Sequence, residues 1–285
     1  MTARARHDRR AVDLALAEAA GLAGQISTLG SFMVYSAGEA PCRSPGSIWA
    51  PQGDLCDIAA APHQRLLAAL AREDAGDNRR AISASLLLRH GRASGFLIGS
   101  WLVSGQVVHG ADLALRFTAG AVLAEIRVRS CAGLLTGGDA EKMRGALVRE
   151  LVAHTAPIIE AHHRWSGFSR KALWAMALSS WAEQVIHLTE LTGDPERGLA
   201  EAEALLAIDP DIAAAAPAVY LVRSEDRRAV CQKRALCCLW FKGPKRQFCT
   251  SCPIIPDEER LARNHKMAAR RGLPDAGVDS DRRIA

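Results

Sequence analysis

Residues 113–129 read LALRFTAGAVLAEIRVR, and the period of this stretch decides the fold class. Leu113, Leu115 and Phe117 alternate with Ala114, Arg116 and Thr118, Ala119-Gly120 offers a turn, and Ala124, Ile126 and Val128 then alternate with Glu125, Arg127 and Arg129. Successive side chains of a strand point to opposite faces, so this pattern predicts two strands with one buried face, paired as a hairpin. Around it the apolar spacing is helical. Helices are expected over 11–29, where Val12, Leu16, Ala19, Ala20 and Ala23 recur at helical spacing, and over 62–72 and 79–104. The segment 38–54, which holds Cys42 and Trp49, reads as a long loop.

After the hairpin, Asp139 is placed to cap a helix running toward His163, with a kink expected at Pro157. A second helix is expected over 170–191, and Asp194-Pro195 gives an N-cap and first-turn proline for a third over 196–207. Short strands are expected at 219–222 and 235–241, then a helix over 257–271 stopped by Gly272. The layout predicts an α+β fold, mainly helical, with a small antiparallel strand region. Gly91, Gly95 and Gly99 recur every fourth residue inside the 79–104 helix, a spacing that predicts close helix packing.

The chain has 285 residues, 49% hydrophobic and 24% charged, which excludes a disordered protein. The longest apolar stretch, 86–108, is interrupted by Arg89, His90 and Arg92, so no membrane span is expected. Residues 1–13 are Arg-rich without an apolar signal core, so the expected location is cytoplasmic. A glycine-rich dinucleotide fingerprint and a phosphate loop are both missing, so electrons or groups carried by a bound nucleotide are not expected. His154, His162 and His163 have no ligand spacing and read as ordinary histidines, and Trp174 and Trp181 as a core stripe.

Charge and cysteine coincide in one window. Between Arg227 and Pro256 stand seven basic residues (Arg227, Arg228, Lys233, Arg234, Lys242, Lys245, Arg246) and no acid, although the net charge of the whole chain is only +5. Five of the eight cysteines fall there too: Cys231, Cys237, Cys238, Cys249 and Cys252. In a non-secreted chain such clustering points to metal or redox chemistry before disulfides. The four that group by spacing form Cys237-Cys238, ten residues, then Cys249-x-x-Cys252-Pro253. Four thiolates suit either a zinc ion or an iron–sulfur cluster. Two adjacent cysteines reach one site only from a bent backbone, and a single zinc usually recruits pairs spaced by two to four residues, so the vicinal pair favours a two-iron cluster. Cys231 reads as a small core residue, and Cys42, Cys56 and Cys131 as isolated thiols.

Arg234 followed by this Cys-Cys-x10-Cys-x2-Cys-Pro run resembles the ferric-siderophore reductase family of the ferric hydroxamate type. The specific likeness covers 219–256. It implies a [2Fe-2S] cluster held by Cys237, Cys238, Cys249 and Cys252, a ferric siderophore as substrate, and a cytoplasmic one-electron reductase. With no nucleotide motif in the chain, an external electron donor, a reductase or a ferredoxin-like protein, is expected, and no nucleic-acid partner is expected. No substrate-contact residue carries over. The domain expectation is a mainly helical region over 1–218, a cluster-binding segment over 219–272 and a tail over 273–285. The other readings of the same cysteines are an iron–sulfur redox sensor or electron-transfer module without siderophore reduction, and a zinc-stabilised structural domain.

Overall fold

The computed structural model describes residues 3–29, 33–38, 46–224, 227–243 and 246–274. The hairpin forms as expected from strands β4 (Asp112–Phe117) and β5 (Leu123–Ser130), with Leu115 opposite Ile126 and Leu113 opposite Val128. Leu113, Leu115, Phe117, Ile126 and Val128 are buried, while Ala124 is half-buried and Leu123, opposite Phe117, is buried in its place. The turn is set one residue later than expected: Thr118 N–H donates to the Val122 carbonyl at 2.9 Å, and Ala121, not Gly120, takes the left-handed conformation at φ 58°. Ala121 is fully buried there, so packing outweighs the modest steric cost of a left-handed alanine.

Strand β1 (Val34–Ala37) adds parallel to β5, and β2 (Ile48–Pro51) adds antiparallel to β4, giving the order β1-β5-β4-β2. The expectation of a loop over 38–54 is thus corrected for its last part. Ile48–Pro51 is an edge strand, Trp49 lies under the guanidinium groups of Arg116 and Arg127, and a 3-10 turn follows at Gln52–Cys56. A four-residue edge strand is too short to show a period. Cys42 lies outside the described residues. Glu125, expected on the exposed face, is buried between Arg116 and Arg127, which donate to it at 3.0 and 2.7 Å.

The helices are α1 (Ala3–Thr28), α2 (Ala61–Leu70), α3 (Arg79–His90), α4 (Ser94–Ser104), α5 (Ala140–Ser166), α6 (Arg170–Leu191), α7 (Pro195–Ala207), α8 (Pro210–Ala213) and α9 (Asp257–Arg271). Asp139, Ser169 and Asp194 each accept a backbone N–H as N-caps of α5, α6 and α7. The helix expected over 79–104 is broken by a 3-10 turn at Gly91–Ala93, and α5 runs on past Pro157. Helix α2 ends in a π-turn, Ala71–Ala75.

Helix α6 is buried over most of its surface, with Glu183, His187 and Glu190 left half-buried, and forms the centre of the bundle, packed by α3, α4, α5 and α7. The glycine run makes this possible. A Cβ at Gly91 would stand 2.5 Å from that of Ser180, and one at Gly95 would meet the Gln184 side chain at 2.7 Å. Trp174 and Trp181 pack edge to face, with Trp181 fully buried. Strands β3 (Val107–His109) and β6 (Gly133–Leu135) form a separate pair. At the C-terminal end β7 (Ala218–Ser224) pairs with β8 (Arg227–Lys233) and β8 with β9 (Leu273–Pro274). Helix α9 lies across β7 and β8, and Asn264 donates to the Tyr220 hydroxyl at 2.7 Å. The strand expected over 235–241 is absent; its place is taken by turns, and the strand lies earlier, at Arg227–Lys233. The tail expected over 273–285 is corrected at its start, where Leu273–Pro274 pair with β8; the rest of it lies outside the described residues. Among the described residues no helix is long and apolar enough to cross a membrane.

Three histidines, His63, His90 and His162, are built into the core as neutral rings. His63 Nδ1–H donates to the Asp57 carbonyl at 2.9 Å, so His63 Nε2 must accept from His162 Nε2–H at 3.1 Å, and His162 Nδ1 accepts from Ser83 Oγ at 2.8 Å. His90 Nε2–H donates to Gln52 Oε1, and Gln52 in turn donates to the carbonyl of His154. Burial pulls the His90 and His162 imidazoles from 6.5 down to about 3, with further lowering from neighbouring histidines. The native state therefore resists protonation that the unfolded chain accepts, and stability present above pH 6.5 is lost as the pH falls toward 3. At pH 5 each of these two histidines should cost about 2 kcal/mol relative to neutral pH. Urea unfolding at pH 7.5 and pH 5 checks this; equal midpoints would show that the core tolerates charged imidazole.

Candidate metal centre

Strand β8 delivers the chain to Arg234, whose N–H donates to the Ser251 carbonyl at 3.0 Å and so staples the two halves of the cysteine segment together. The backbone then turns sharply through Cys237 and Cys238. Leu239 is left-handed, at φ 60° and ψ 11°, and a 3-10 turn follows at Trp240–Lys242. This is the bent backbone that a vicinal pair requires. Gly243 passes so close to the π-turn that a Cβ on it would collide with the Asp74 carbonyl. On the return, Cys252 N–H donates to the Cys249 carbonyl at 3.2 Å and closes the Cys-x-x-Cys turn.

The four thiols share one neighbourhood. Cys237 and Cys238 influence one another directly, as do Cys238 and Cys249, and Cys252 and Cys249 both lie within charge range of Cys237. The hydrogen bond with Cys238, aided by the Leu239 N–H and opposed by burial, lowers the Cys237 thiol to about 7. The same bonds work in reverse on their donors: Cys238 is raised through its bond to Cys237, and Cys249 through its bond to Cys238 together with burial. Cys238 and Cys252 are buried, whereas Cys237 and Cys249 are half-buried.

Three of the sulfurs receive N–H donors. Leu239 N–H reaches Cys237 at 3.3 Å and Ile254 N–H reaches Cys252 at 3.4 Å, the same two-residue step in both halves. Arg234 Nη1 donates to Cys249 at 3.3 Å. Donors aimed at sulfur stabilise thiolate and are one of the levers that set the potential of an iron–sulfur centre. Among the described residues no group of three or more His, Cys, Asp or Glu is gathered as a site for one metal ion. The donor set itself, four thiols with N–H groups directed at three of them, fits a thiolate-ligated cluster.

The other described cysteines stay apart. Cys231 is buried on β8 in a small cluster with Val222, Ala229 and Ala268, and burial raises its thiol to about 12. Cys131 is buried and Cys56 half-buried elsewhere. The basic window is less free than its sequence implies. Arg228 pairs with Glu196 at 2.5 Å, Lys233 with Asp257 at 2.8 Å, and Arg227 donates to the Gly272 carbonyl. Lys245 lies outside the described residues. Phe241 stacks on Phe248 at 5.1 Å, and Trp240 packs against the main core.

A hollow of about 230 Å³ opens beside Cys238 and Cys249, and its far wall comes from residues that the cysteine motif does not reach: Asp74, Ser85, Arg89, Arg92 and Glu183. A wider recess of about 490 Å³ adjoins it across Arg234 and Cys249. The one sequence signal for this wall is the pair Arg89 and Arg92 interrupting the apolar stretch 86–108. No known family model matches this chain, and no curated protein does.

Two predictions follow from the segment's geometry. Cys238→Ser and Cys249→Ser should abolish or severely perturb the visible absorption of anaerobically purified protein, while Cys131→Ser should leave it unchanged; full absorption in Cys238→Ser would remove that residue from the ligand set. Gly243→Ala should lower unfolding stability by about 1–3 kcal/mol, because overpacking against the Asp74 carbonyl forces the backbone apart. A wild-type urea midpoint would show that the segment is not pressed against the π-turn.

Proposed function

We propose that this chain is a cytoplasmic [2Fe-2S] protein that reduces the iron of a ferric siderophore to Fe²⁺, using electrons from an external donor. The observation that carries this reading is the placement of the pairs Cys237-Cys238 and Cys249-x-x-Cys252 on two turns tied together at Arg234, with backbone and Arg234 donors on three sulfurs, beside an open hollow. The likeness of the Cys-Cys-x10-Cys-x2-Cys run to the ferric hydroxamate type of reductase supplies the substrate class.

When bound, such a cluster supplies one electron at a time. The residues around it would do the rest. The N–H groups of Leu239 and Ile254 and the Arg234 guanidinium favour the more negative state of the sulfurs and so raise the tendency to accept an electron. Burial of Cys238 and Cys252 keeps water from two of the ligands, and the partial exposure of Cys237 and Cys249 leaves an edge across which an electron passes. The chelate's iron is the electron's destination: Fe³⁺ becomes Fe²⁺, and hard oxygen ligands hold the softer, less charged ion less strongly, so it leaves. Each turnover consumes one electron from the donor.

Visible and spin-resonance spectra before and after adding a ferric siderophore test the reading. The chemically reduced protein should be reoxidised, with Fe²⁺ trapped by a ferrous-specific chelator in step with the electrons lost. A coloured protein that keeps its electron against several ferric chelates is a sensor or carrier, and a colourless one holding zinc is a structural domain; either result overturns the reductase.

A further inference from the structure

The cysteine segment has two open edges. Cys238 and Cys249 line the hollow and Cys249 also lines the wider recess, but Cys237 lines neither. Cys237 is half-buried, and the Leu239 whose N–H reaches its sulfur at 3.3 Å stands in the wall of a third recess. This one is open, about 450 Å³, and forms where the start of α3, the end of α5 and the 3-10 turn at Trp240–Lys242 come together. Its wall holds Arg79, Arg80 and Lys242 and no acid.

The three cations are exposed, and among the described residues none of them forms an ion pair. Arg79 rests over the Trp165 ring at 5.4 Å, a contact that holds the guanidinium without neutralising it. Lys242 lies 5.9 Å from the Phe241 ring, which stacks on the partly exposed Phe248. Arg228 and Lys233, in the same basic window, are neutralised by Glu196 and Asp257. Folding therefore leaves one unneutralised basic face, built half from the window and half from α3, a single residue away from a half-buried sulfur.

Such a face suits a negatively charged partner that exchanges electrons. Redox partners meet over small, weak interfaces, under about 1,200 Å² in total, and opposite charge steers and orients their encounter. Nucleic acid instead rewards cations spaced along an extended phosphate track, whereas these three converge on one recess.

We propose that the recess bounded by Arg79, Arg80 and Lys242 is the docking face for an acidic one-electron carrier protein, so that electrons enter at the Cys237 edge and leave at the Cys249 edge. The carrier is oxidised by one electron, the site between the four cysteines is reduced by one, and no bond forms or breaks. The proposal rests on the reading of the protein as a [2Fe-2S] reductase with an external donor, but docking is measured without turnover. Calorimetry on the purified holoprotein, with an oxidised plant-type [2Fe-2S] ferredoxin as the acidic probe, should show binding that weakens at least about ten-fold as salt rises from about 20 to about 200 mM. Cytochrome c, a basic carrier, should bind at least about ten-fold more weakly than the ferredoxin. Arg79→Gln, Arg80→Gln and Lys242→Gln combined should weaken ferredoxin binding about ten-fold, the sum of three exposed charge pairs, with the visible spectrum unchanged. Lys142→Gln removes an exposed cation at the other end of α5, roughly 36 Å from Ser166 by helix rise, and should bind like wild type. Salt-independent binding, equal binding of cytochrome c, wild-type affinity in the triple variant, an equal loss in Lys142→Gln, or duplex DNA held more tightly than ferredoxin by the same three residues would each overturn the docking face. If one of those results comes with intact reduction of ferric chelates by the chemically reduced protein, only the entry face falls. If ferredoxin docks as expected and no ferric chelate takes the electron, the reductase reading falls instead.

Discussion

The close approach between helix α6 and the Gly91-x-x-x-Gly95 run is the constraint on which the rest of the molecule depends. Ser180 and Gln184 occupy the space that a side chain at either glycine would need. Contact this tight lets four helices pack on α6 within one bundle, and it fixes where α3 and α6 present their polar side chains. Arg89 and Arg92 come from one side of that contact and Glu183 from the other, all at the same hollow. A few tenths of an ångström of separation would widen the cavity that the cysteine segment closes, because packed interiors transmit such shifts.

The cysteine segment is bound into this frame. Cys238 belongs to the main hydrophobic core, and Leu236, Leu239, Trp240 and Cys249 pack against it. The π-turn after α2 is the matching surface: the Asp74 carboxylate holds Arg89, while its carbonyl leaves room at Gly243 for nothing larger than hydrogen. Irregular helical turns of this kind concentrate at functional sites, since they re-aim backbone groups that a regular helix would keep in its own ladder. Here the turn gives one residue two roles, an ion pair on one side and a backbone stop on the other.

Local pairing reshapes the electrostatics of the basic window. Arg228 and Lys233 are held by acids from α7 and α9 that lie far from them in sequence, so much of their field is offset. Arg234 differs, because it touches a cysteine sulfur directly and still has a buried Nε without an acceptor. A count of charges along the chain ranks all seven cations alike; the folded chain singles out one.

The sequence by itself determined the α+β class, the hairpin at 113–129, the capped helices after Asp139 and Asp194, the helix over 170–191 between them, and the glycine packing, because each rests on neighbours within a few residues: side-chain period, a capping oxygen, a missing Cβ. It also identified the four cysteines as a group by their spacing. It misplaced the strand at 227–233, where Arg, Gln and Lys obscure the alternation, and read a strand at 235–241, where a left-handed Leu239 bends the chain. Only the tertiary structure decided the edge strand at Trp49, the neutral histidine relay and the wall of the hollow. Those depend on pairs such as His63 with His162, Asp74 with Arg89 and Asp74 with Gly243, which the path of the chain brings together and which no local propensity encodes.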